Sequence, residues 1–243
     1  VGQAIVDSLF PAGDKGRIPI VGIAGSKGTS LTARLMSWLL QLTGKHVGLA
    51  CRDGLFLDKR VVDKRDCANW AAGQRLLINR SVDAAVFENG AAMILGEGIA
   101  YDRCQVGIVT DTEGAESLAG FDIHNAEQLY HVLRTQVDIV LPEGAAVLNA
   151  ADPLVARMAE LCDGDVIFYG LAQELPAIVA HRARGGRALY LRESRIMLAT
   201  GAVEGPFMEL PVFATNKDGT DSERVASLLA AVGAAVALGI PVE

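Results

Sequence analysis

The sequence has 243 residues, with 51% apolar and 21% charged side chains, which suits one large or two modest globular α/β domains and excludes a disordered chain. Its net charge of −7 and lack of a basic stripe argue against nucleic-acid binding. Four scattered cysteines without a CxxC pair, and no signal-peptide pattern, predict buried free thiols in a cytoplasmic protein. The most apolar run, residues 228–242, predicts a buried helix, because it contains two glycines and a proline and is too short to span a bilayer.

Short apolar runs alternate with helix-like runs along the chain. The expected strands are residues 18–24, 46–51, 83–88, 106–110, 145–149 and 165–169, and the expected helices are residues 31–42, 67–79, 126–140, 153–162 and 222–238. Strands that carry apolar residues at nearly every position are typical of sheets covered on both faces. The alternation therefore predicts an α/β fold with a mostly parallel, helix-flanked sheet.

Two segments break this alternation. Residues 54–62 predict a β-hairpin that turns at Asp58 and Lys59. Residues 187–193 and 195–200 predict a second antiparallel pair, so we expect a small antiparallel β element near residues 187–213. Residues 1–17 are interpreted as an approach segment and residues 18–243 as one domain, with residues 241–243 leading into a further domain.

A glycine-rich loop follows the first expected strand. Residues 25–30 read Gly-Ser-Lys-Gly-Thr-Ser, and a helix-like run begins at Leu31. This strand–loop–helix order is typical of a phosphate-binding loop, in which backbone amides and the positive end of the helix dipole meet an anion. The Gly-Lys-Ser/Thr ending of a nucleotide-binding P-loop is absent, since Thr29 stands where its lysine is expected. The first βα turn is therefore P-loop-like but lacks the main phosphate-binding cation.

Several further runs are specific enough to suggest a family. They are residues 17–21 (RIPIV), 48–54 (GLACRDG), 82–88 (VDAAVFE), 98–110 (GIAYDRCQVGIVT), 147–155 (VLNAADPLV) and 181–188 (HRARGGRA). Together they resemble the central ATP-binding domain of the Mur ligases and, more narrowly, the C-terminal Mur-ligase-like part of cyanophycin synthetases. The resemblance implies binding of ATP and Mg²⁺, phosphorylation of a carboxylate, and attack of an amine on the acyl phosphate to form an amide. In cyanophycin synthetases this module joins arginine to an aspartate side chain.

The resemblance also implies site residues. The family loop, similar to G-T-N-G-K-T-T, aligns with residues 25–31, so the Ser30 hydroxyl would contact Mg²⁺, and Glu88 matches the family's Mg²⁺-binding glutamate. Asn149 and Asp152 resemble the pair that lies near the adenine and ribose. The expected nucleotide-binding residues are thus Gly25, Ser26, Lys27, Gly28, Thr29, Ser30, Asn149 and Asp152, and the expected metal ligands are Ser30 and Glu88.

Three of these residues also have ordinary structural interpretations. Lys27 either substitutes for the missing loop lysine or is a plain exposed lysine. Glu88 is a metal ligand or a solvated carboxylate at a strand end. Asp152 precedes Pro153, which favours a helix N-cap, a role compatible with nucleoside contact.

Elsewhere the sequence departs from the family pattern. Residues 89–93 replace Thr-Ala-Arg-Gly-Gly, and Ser117 occupies the register of a metal-binding histidine, beside Glu116. His124 is too far along the chain to replace that histidine, and Leu133 stands where a lysine is often found. We therefore assign no catalytic residue.

Three hypotheses follow for the function. The preferred one is a domain with a degenerate P-loop and metal site that is non-catalytic, with a structural, oligomerising or substrate-holding role. The second is an active ATP-dependent carboxylate–amine ligase, and the third is a nucleotide-binding regulatory module. Expected partners are ATP or another anion at the loop, with Mg²⁺ if the site is active, and a second copy of the chain. ATP-grasp and C-terminal ligase domains are expected only elsewhere in a longer polypeptide, the third ligase domain beginning beyond residue 243.

Overall fold

A computed structural model describes residues 16–216 and 219–241 of the chain. Its main strands are β1 (Ile20–Ala24), β2 (Val47–Cys51), β3 (Gly54–Leu57), β4 (Arg60–Asp63), β5 (Ala84–Asn89), β6 (Cys104–Val109), β7 (Val140–Asn149), β8 (Asp165–Gly170), β9 (Arg187–Arg192), β10 (Arg195–Thr200) and β11 (Val203–Glu209). The α-helices are α1 (Thr29–Leu42), α2 (Trp70–Leu77), α3 (Ala91–Gly96), α4 (Ala126–Leu133), α5 (Thr135–Asp138), α6 (Pro153–Arg157), α7 (Pro176–Ala183) and α8 (Ser222–Ala237). Short 3₁₀ helices cover Ala115–Phe121, Met158–Leu161 and Val212–Ala214, and a two-residue strand pair joins Thr215–Asn216 to Gly219–Thr220.

Eleven of the described strands form one sheet, in the order β11-β10-β9-β8-β7-β6-β1-β5-β2-β3-β4. The seven strands from β9 to β2 in this order pair in parallel. Strands β1 and β2 are buried at every residue, as apolar strands covered on both faces should be. The predicted α/β fold with a mostly parallel, helix-flanked sheet is confirmed.

Both edges of the sheet are antiparallel. The hairpin expected at residues 54–62 forms β3 and β4, with Asp58 in the left-handed region at φ 52°. At the other edge, β9, β10 and β11 pair antiparallel to one another. Because β9 also pairs in parallel with β8, the predicted antiparallel element is a continuation of the main sheet and not a separate appendage.

Two helical layers cover the sheet. Helices α1 and α8 share one apolar core with the face of β1 that carries Val21 and Ile23. Helices α2 and α4 to α7 pack on the opposite face, where Leu129, Leu133 and Ile178 are fully buried. This layering leaves the carboxyl ends of the parallel strands, and the amino ends of α1 and α8, at one edge of the sheet.

The helix predicted over residues 126–140 is shorter than expected. It ends at Asp138, and strand β7 begins at Val140, which pairs with Cys104. The β-branched residues before Pro142 favour an extended chain, and proline cannot donate a helical hydrogen bond. Helices α3 and α7 were not predicted, because each is only six to eight residues long.

The four cysteines are unpaired, and three of them are buried. Burial raises the pKa of Cys51 to about 11 and that of Cys104 to about 12. Among the described helices, none has both the length and the apolar character needed to cross a membrane. The expected approach segment lies mostly outside the described residues, as does the end of the expected linker, and the domain boundaries stay predictions.

Candidate functional site

The predicted site residues converge at the carboxyl edge of the sheet. The glycine-rich loop follows β1, and Glu88 lies near the end of the adjacent strand β5. Asp111 follows β6, and Asn149 ends β7. Because parallel strands present their carboxyl ends together, this edge is where α/β proteins bind ligands. Three cavities of about 220, 400 and 560 Å³ surround the loop.

The loop depends on its two glycines. Gly25 has φ 129° and Gly28 has φ 65°, both in the region that favours glycine. A Cβ atom on Gly28 would lie 2.3 Å from the Ser227 hydroxyl oxygen of α8, so side chains are excluded sterically as well. The Gly28 carbonyl accepts hydrogen bonds from Thr32 at 2.9 Å and from Ser227 at 3.3 Å. The loop is therefore held between β1 and the start of α8.

A carboxylate of the protein itself occupies part of this loop. The Asp111 carboxylate accepts hydrogen bonds from the backbone amides of Ser26 and Lys27, at 3.1 and 2.9 Å, and from the Ser26 hydroxyl at 2.6 Å. The Glu113 amide and the Thr110 hydroxyl also donate to it. Burial alone would raise the pKa of Asp111, but these hydrogen bonds outweigh it and lower the pKa. Two of the amides that a phosphate would use are thus already satisfied internally.

We expect Asp111→Ala to destabilise the protein by about 2–3 kcal/mol at neutral pH, because loop amides and hydroxyls lose a charged acceptor. Phosphate should then fill the loop, so 50 mM phosphate should raise the melting temperature of the variant by about 2 °C more than that of the wild type. Thermal melts in phosphate and in a non-coordinating buffer measure both effects.

Asp53→Ala is the matched control, since Asp53 is a nearby exposed acid that pairs with Arg34 at 3.2 Å. The pH dependence of the melts is a second check. A depressed folded-state pKa stabilises the protein above the unfolded value, which is about 3.9, and this contribution is lost as the pH falls through the folded value. The melting temperatures of wild type and Asp111→Ala should therefore converge as the pH falls below about 4. An equal rise in melting temperature with phosphate in the two proteins would contradict occupation of the loop by Asp111.

The other end of the loop is joined to Glu88. Thr29 is 1% exposed and its hydroxyl donates to one Glu88 oxygen at 2.7 Å, while the Ser30 hydroxyl donates to the other at 2.8 Å. Arg52, which follows β2, donates from its backbone amide at 2.8 Å and from Nε at 2.6 Å, one bond to each oxygen. Its Nη2 donates to the Thr29 hydroxyl at 2.6 Å. Ser30 and Glu88, the two predicted metal ligands, are therefore in contact, but the Glu88 carboxylate is paired with the Arg52 guanidinium.

Lys27 lies on the outside of the loop. Its Nζ is 2.5 Å from the Glu113 carboxylate, and both side chains are about 60% exposed. The hydrogen bond and charge of Glu113 raise the lysine pKa. Lys27 borders the 400 Å³ cavity, but in this arrangement its charge is paired with Glu113 and not directed to the start of α1.

Asn149 and Asp152 line the same 400 Å³ cavity. The Asn149 amide donates to the Thr110 carbonyl at 2.8 Å. Asp152 caps α6 by accepting from the Leu154 amide, and its second oxygen accepts from the amide and hydroxyl of Thr112, at 2.7 and 2.8 Å. The N-cap interpretation of Asp152 is thus correct, and its proposed contact with a nucleoside stays a prediction.

The residues that depart from the family pattern have structural roles. The Ser117 hydroxyl donates to the Gly114 carbonyl at 2.7 Å, and Leu133 is buried in the core. Asn89 is 3% exposed and donates to the Tyr101 hydroxyl at 2.7 Å and to Gln136 Oε1 at 2.6 Å. In residues 16–216 and 219–241, no three acidic, histidine or cysteine side chains are grouped so as to hold a metal ion.

Sequence reasoning missed two residues that define the site. Arg52 lies within the run of residues 48–54 and Asp111 directly after the run of residues 98–110, but neither was assigned a contact. A signal was available, since each lies within two residues of the end of a parallel strand and so at the ligand-facing edge. What the sequence does not reveal is that each charge is directed at the glycine-rich loop.

No family model matches the chain. Over all 243 residues it is 32% identical to a cyanophycin synthetase from Synechocystis sp., and over 202 residues, 83% of the chain, it is 34% identical to one from Geminocystis herdmanii. These alignments span only 28% and 23% of the two relatives. The chain thus spans about a quarter of the length of these relatives.

Solved structures agree on the fold. A UDP-N-acetylmuramoyl-L-alanyl-D-glutamate–2,6-diaminopimelate ligase superposes with a TM-score of 0.64 over 92% of this chain and 46% of that one, at 12% identity. The chain thus has a Mur-ligase-like fold. The same Mur-ligase-like fold is found in a pseudomurein peptide ligase type C from Methanothermus fervidus, with a TM-score of 0.58 at 17% identity over 94% of this chain and 48% of that one. A bifunctional folylpolyglutamate synthase/dihydrofolate synthase with Mn, AMPPNP and L-glutamate bound also shares it, with a TM-score of 0.60 at 12% identity over 94% of this chain and 56% of that one.

Proposed function

We propose that this Mur-ligase-like domain does not turn over ATP and has a structural or substrate-holding role in a cyanophycin-synthetase-like protein. The observation that carries the proposal is the loop position where a lysine is expected. Thr29 fills it, is buried, and gives its hydroxyl to Glu88. The only lysine of the loop is instead paired with Glu113 on the outside.

Phosphoryl transfer depends on positive charge around the moving phosphoryl group, because the protein contributes mainly positioning and electrostatic stabilisation. Loss of one charged phosphate contact costs about 1.5–3 kcal/mol, which corresponds to a roughly ten- to hundredfold lower affinity. Here the contact is absent and the Asp111 carboxylate also takes two loop amides. Both features lower the affinity for a triphosphate.

A role in holding other parts of a larger protein fits the preserved scaffold. The parallel sheet and both helical layers are complete in the described residues, while the changes are concentrated around the loop. The two Mur-like peptide ligases described above extend beyond the region that this chain matches, which is about half of each. Neighbouring ATP-grasp and ligase domains in a longer polypeptide, and self-association of the chain, belong to this proposal.

The test is a calorimetric titration of the purified chain with Mg·ATP, followed by a phosphate-release assay with an aspartyl peptide and arginine. We expect a dissociation constant weaker than about 100 μM and no release that depends on both co-substrates. A low-micromolar dissociation constant would reject the degenerate site, and release dependent on both co-substrates would establish the active ligase. Tight binding without release would instead support a regulatory nucleotide-binding module.

A further inference from the structure

The Glu88 carboxylate is already fully used by the protein. It is 3% exposed and accepts four hydrogen bonds, two on each oxygen. Two of the donors are hydroxyls of the loop, and two belong to Arg52. Because a carboxylate offers about four accepting positions, these partners leave none for a metal ion, although Glu88 borders the 220 Å³ cavity.

Arg52 contributes a full positive charge in this place. Its Nε lies 2.6 Å from Glu88 Oε1, and its Nη2 reaches the Thr29 hydroxyl at 2.6 Å and the Ser26 carbonyl at 3.4 Å. A guanidinium is always charged and makes several directed hydrogen bonds at once, which suits it to a buried acid. The half of the side chain that remains exposed faces the cavities beside the loop.

The side chains present do not fit a magnesium ion. Mg²⁺ requires near-octahedral oxygen ligands and is usually held by one or two carboxylates together with substrate phosphates. Here the single carboxylate is paired with the Arg52 guanidinium, and the Ser30 hydroxyl, which donates its proton to that carboxylate, could offer an ion only a neutral oxygen. Among the described residues, no three acidic, histidine or cysteine side chains are grouped so as to hold an ion here.

We infer that Arg52 is a resident cation that takes the place of a divalent metal at Glu88 and excludes it. The inference deepens the proposed function, because it names what makes the site metal-independent. It also makes Arg52, and not the loop sequence alone, the residue that determines metal specificity. Removal of its side chain should expose Glu88 and open a metal site that the wild-type protein lacks.

The experiment compares Mn²⁺ binding by wild type, Arg52→Ala, Arg52→Ala/Glu88→Gln and Arg34→Ala, without nucleotide. Free Mn²⁺ is measured by electron paramagnetic resonance, and melting temperatures are recorded with and without 10 mM Mn²⁺. Arg34→Ala is the matched control, since Arg34 borders the same 560 Å³ cavity but pairs with Asp53. Arg52→Gln, which keeps most of the side-chain volume, carries the same test if the alanine variant does not fold.

We expect Arg52→Ala to bind one Mn²⁺ at least tenfold more tightly than the wild type and to gain about 3 °C in melting temperature. The double variant, Arg34→Ala and the wild type should not respond. An equal Mn²⁺ response in wild type and Arg52→Ala, or none in either arginine-52 variant, would overturn the inference. The Mn²⁺ assay contains no ATP, so its outcome does not depend on the proposed function. ATP turnover by the wild type would contradict the proposed function but not the Mn²⁺ result.

Discussion

Replacement of Glu88 by glutamine is expected to lower the free energy of unfolding by about 3 kcal/mol and the melting temperature by about 6–12 °C. The variant leaves the Arg52 guanidinium without its anion, and an amide offers only one accepting oxygen where the carboxylate accepts four hydrogen bonds. This loss of stability lies at the lower end of the range for breaking a buried ion pair, because the Arg52 side chain is 50% exposed. Urea and thermal unfolding at neutral pH measure it.

Glu113→Gln is the control for this prediction. Its carboxylate also pairs with a cation of the loop region, Lys27, but both partners are largely exposed, so the expected cost is below about 0.5 kcal/mol. A metal-binding carboxylate that has no metal and no other charged partner usually destabilises the metal-free protein. If Glu88→Gln left stability unchanged or raised it, Glu88 would be such a ligand and its pairing with Arg52 would be of little energetic consequence.

The fold could be predicted largely from periodicity. Buried parallel strands such as β1 and β2 are short apolar runs, and the turn residues at Asp58 indicate the hairpin. The errors occur where tertiary pairing overrides local preference. Val140 looked helical in sequence but pairs with Cys104 in the sheet. The short helix Pro176–Ala183 gives too few periodic positions to be recognised.

The site was predictable in its position but not in its contacts. Strand ends and the glycine loop place Ser30 and Glu88 at one edge of the sheet, and the structure brings their oxygens to 2.8 Å. The contact between Arg52 and Glu88 joins residues 36 positions apart, and Asp111 reaches Ser26 across 85. Local sequence patterns carry no information about which way such side chains point.

These two contacts have a common physical meaning. Asp111 supplies a negative charge to amides that would otherwise meet a phosphate, and Arg52 supplies a positive charge to a carboxylate that would otherwise meet a metal. Side chains of the protein therefore occupy the positions where both expected ligands, the phosphate and the metal ion, would bind. To restore nucleotide binding, a variant has to remove one of these internal partners, and adding the missing lysine alone leaves both in place.

From the sequence alone, Thr29 is the main defect, and Thr29→Lys should be enough to improve nucleotide binding. The structure changes that expectation, because the Thr29 hydroxyl lies 2.6 Å from Arg52 Nη2. A lysine at this buried position would place an ammonium beside the guanidinium, and the two cations would compete for Glu88. We expect Thr29→Lys alone to change the affinity for Mg·ATP by less than about threefold, which is under 1 kcal/mol.

Thr29→Lys combined with Arg52→Ala should bind Mg·ATP about ten- to hundredfold more tightly than the wild type, because the ammonium then has room beside the phosphates. Calorimetric titration of both single variants and the double variant completes a double-mutant cycle, and we expect strong positive coupling between the two positions. Thr29→Gln with Arg52→Ala separates the effect of charge from that of volume. Phosphate release should stay at baseline, since residues 89–93 still lack the family's arginine and glycine pair and catalytic losses that act as a unit are not restored singly. If Thr29→Lys alone raised the affinity tenfold, Arg52 would not be the obstacle, and the loop lysine would be the only part missing from the phosphate site.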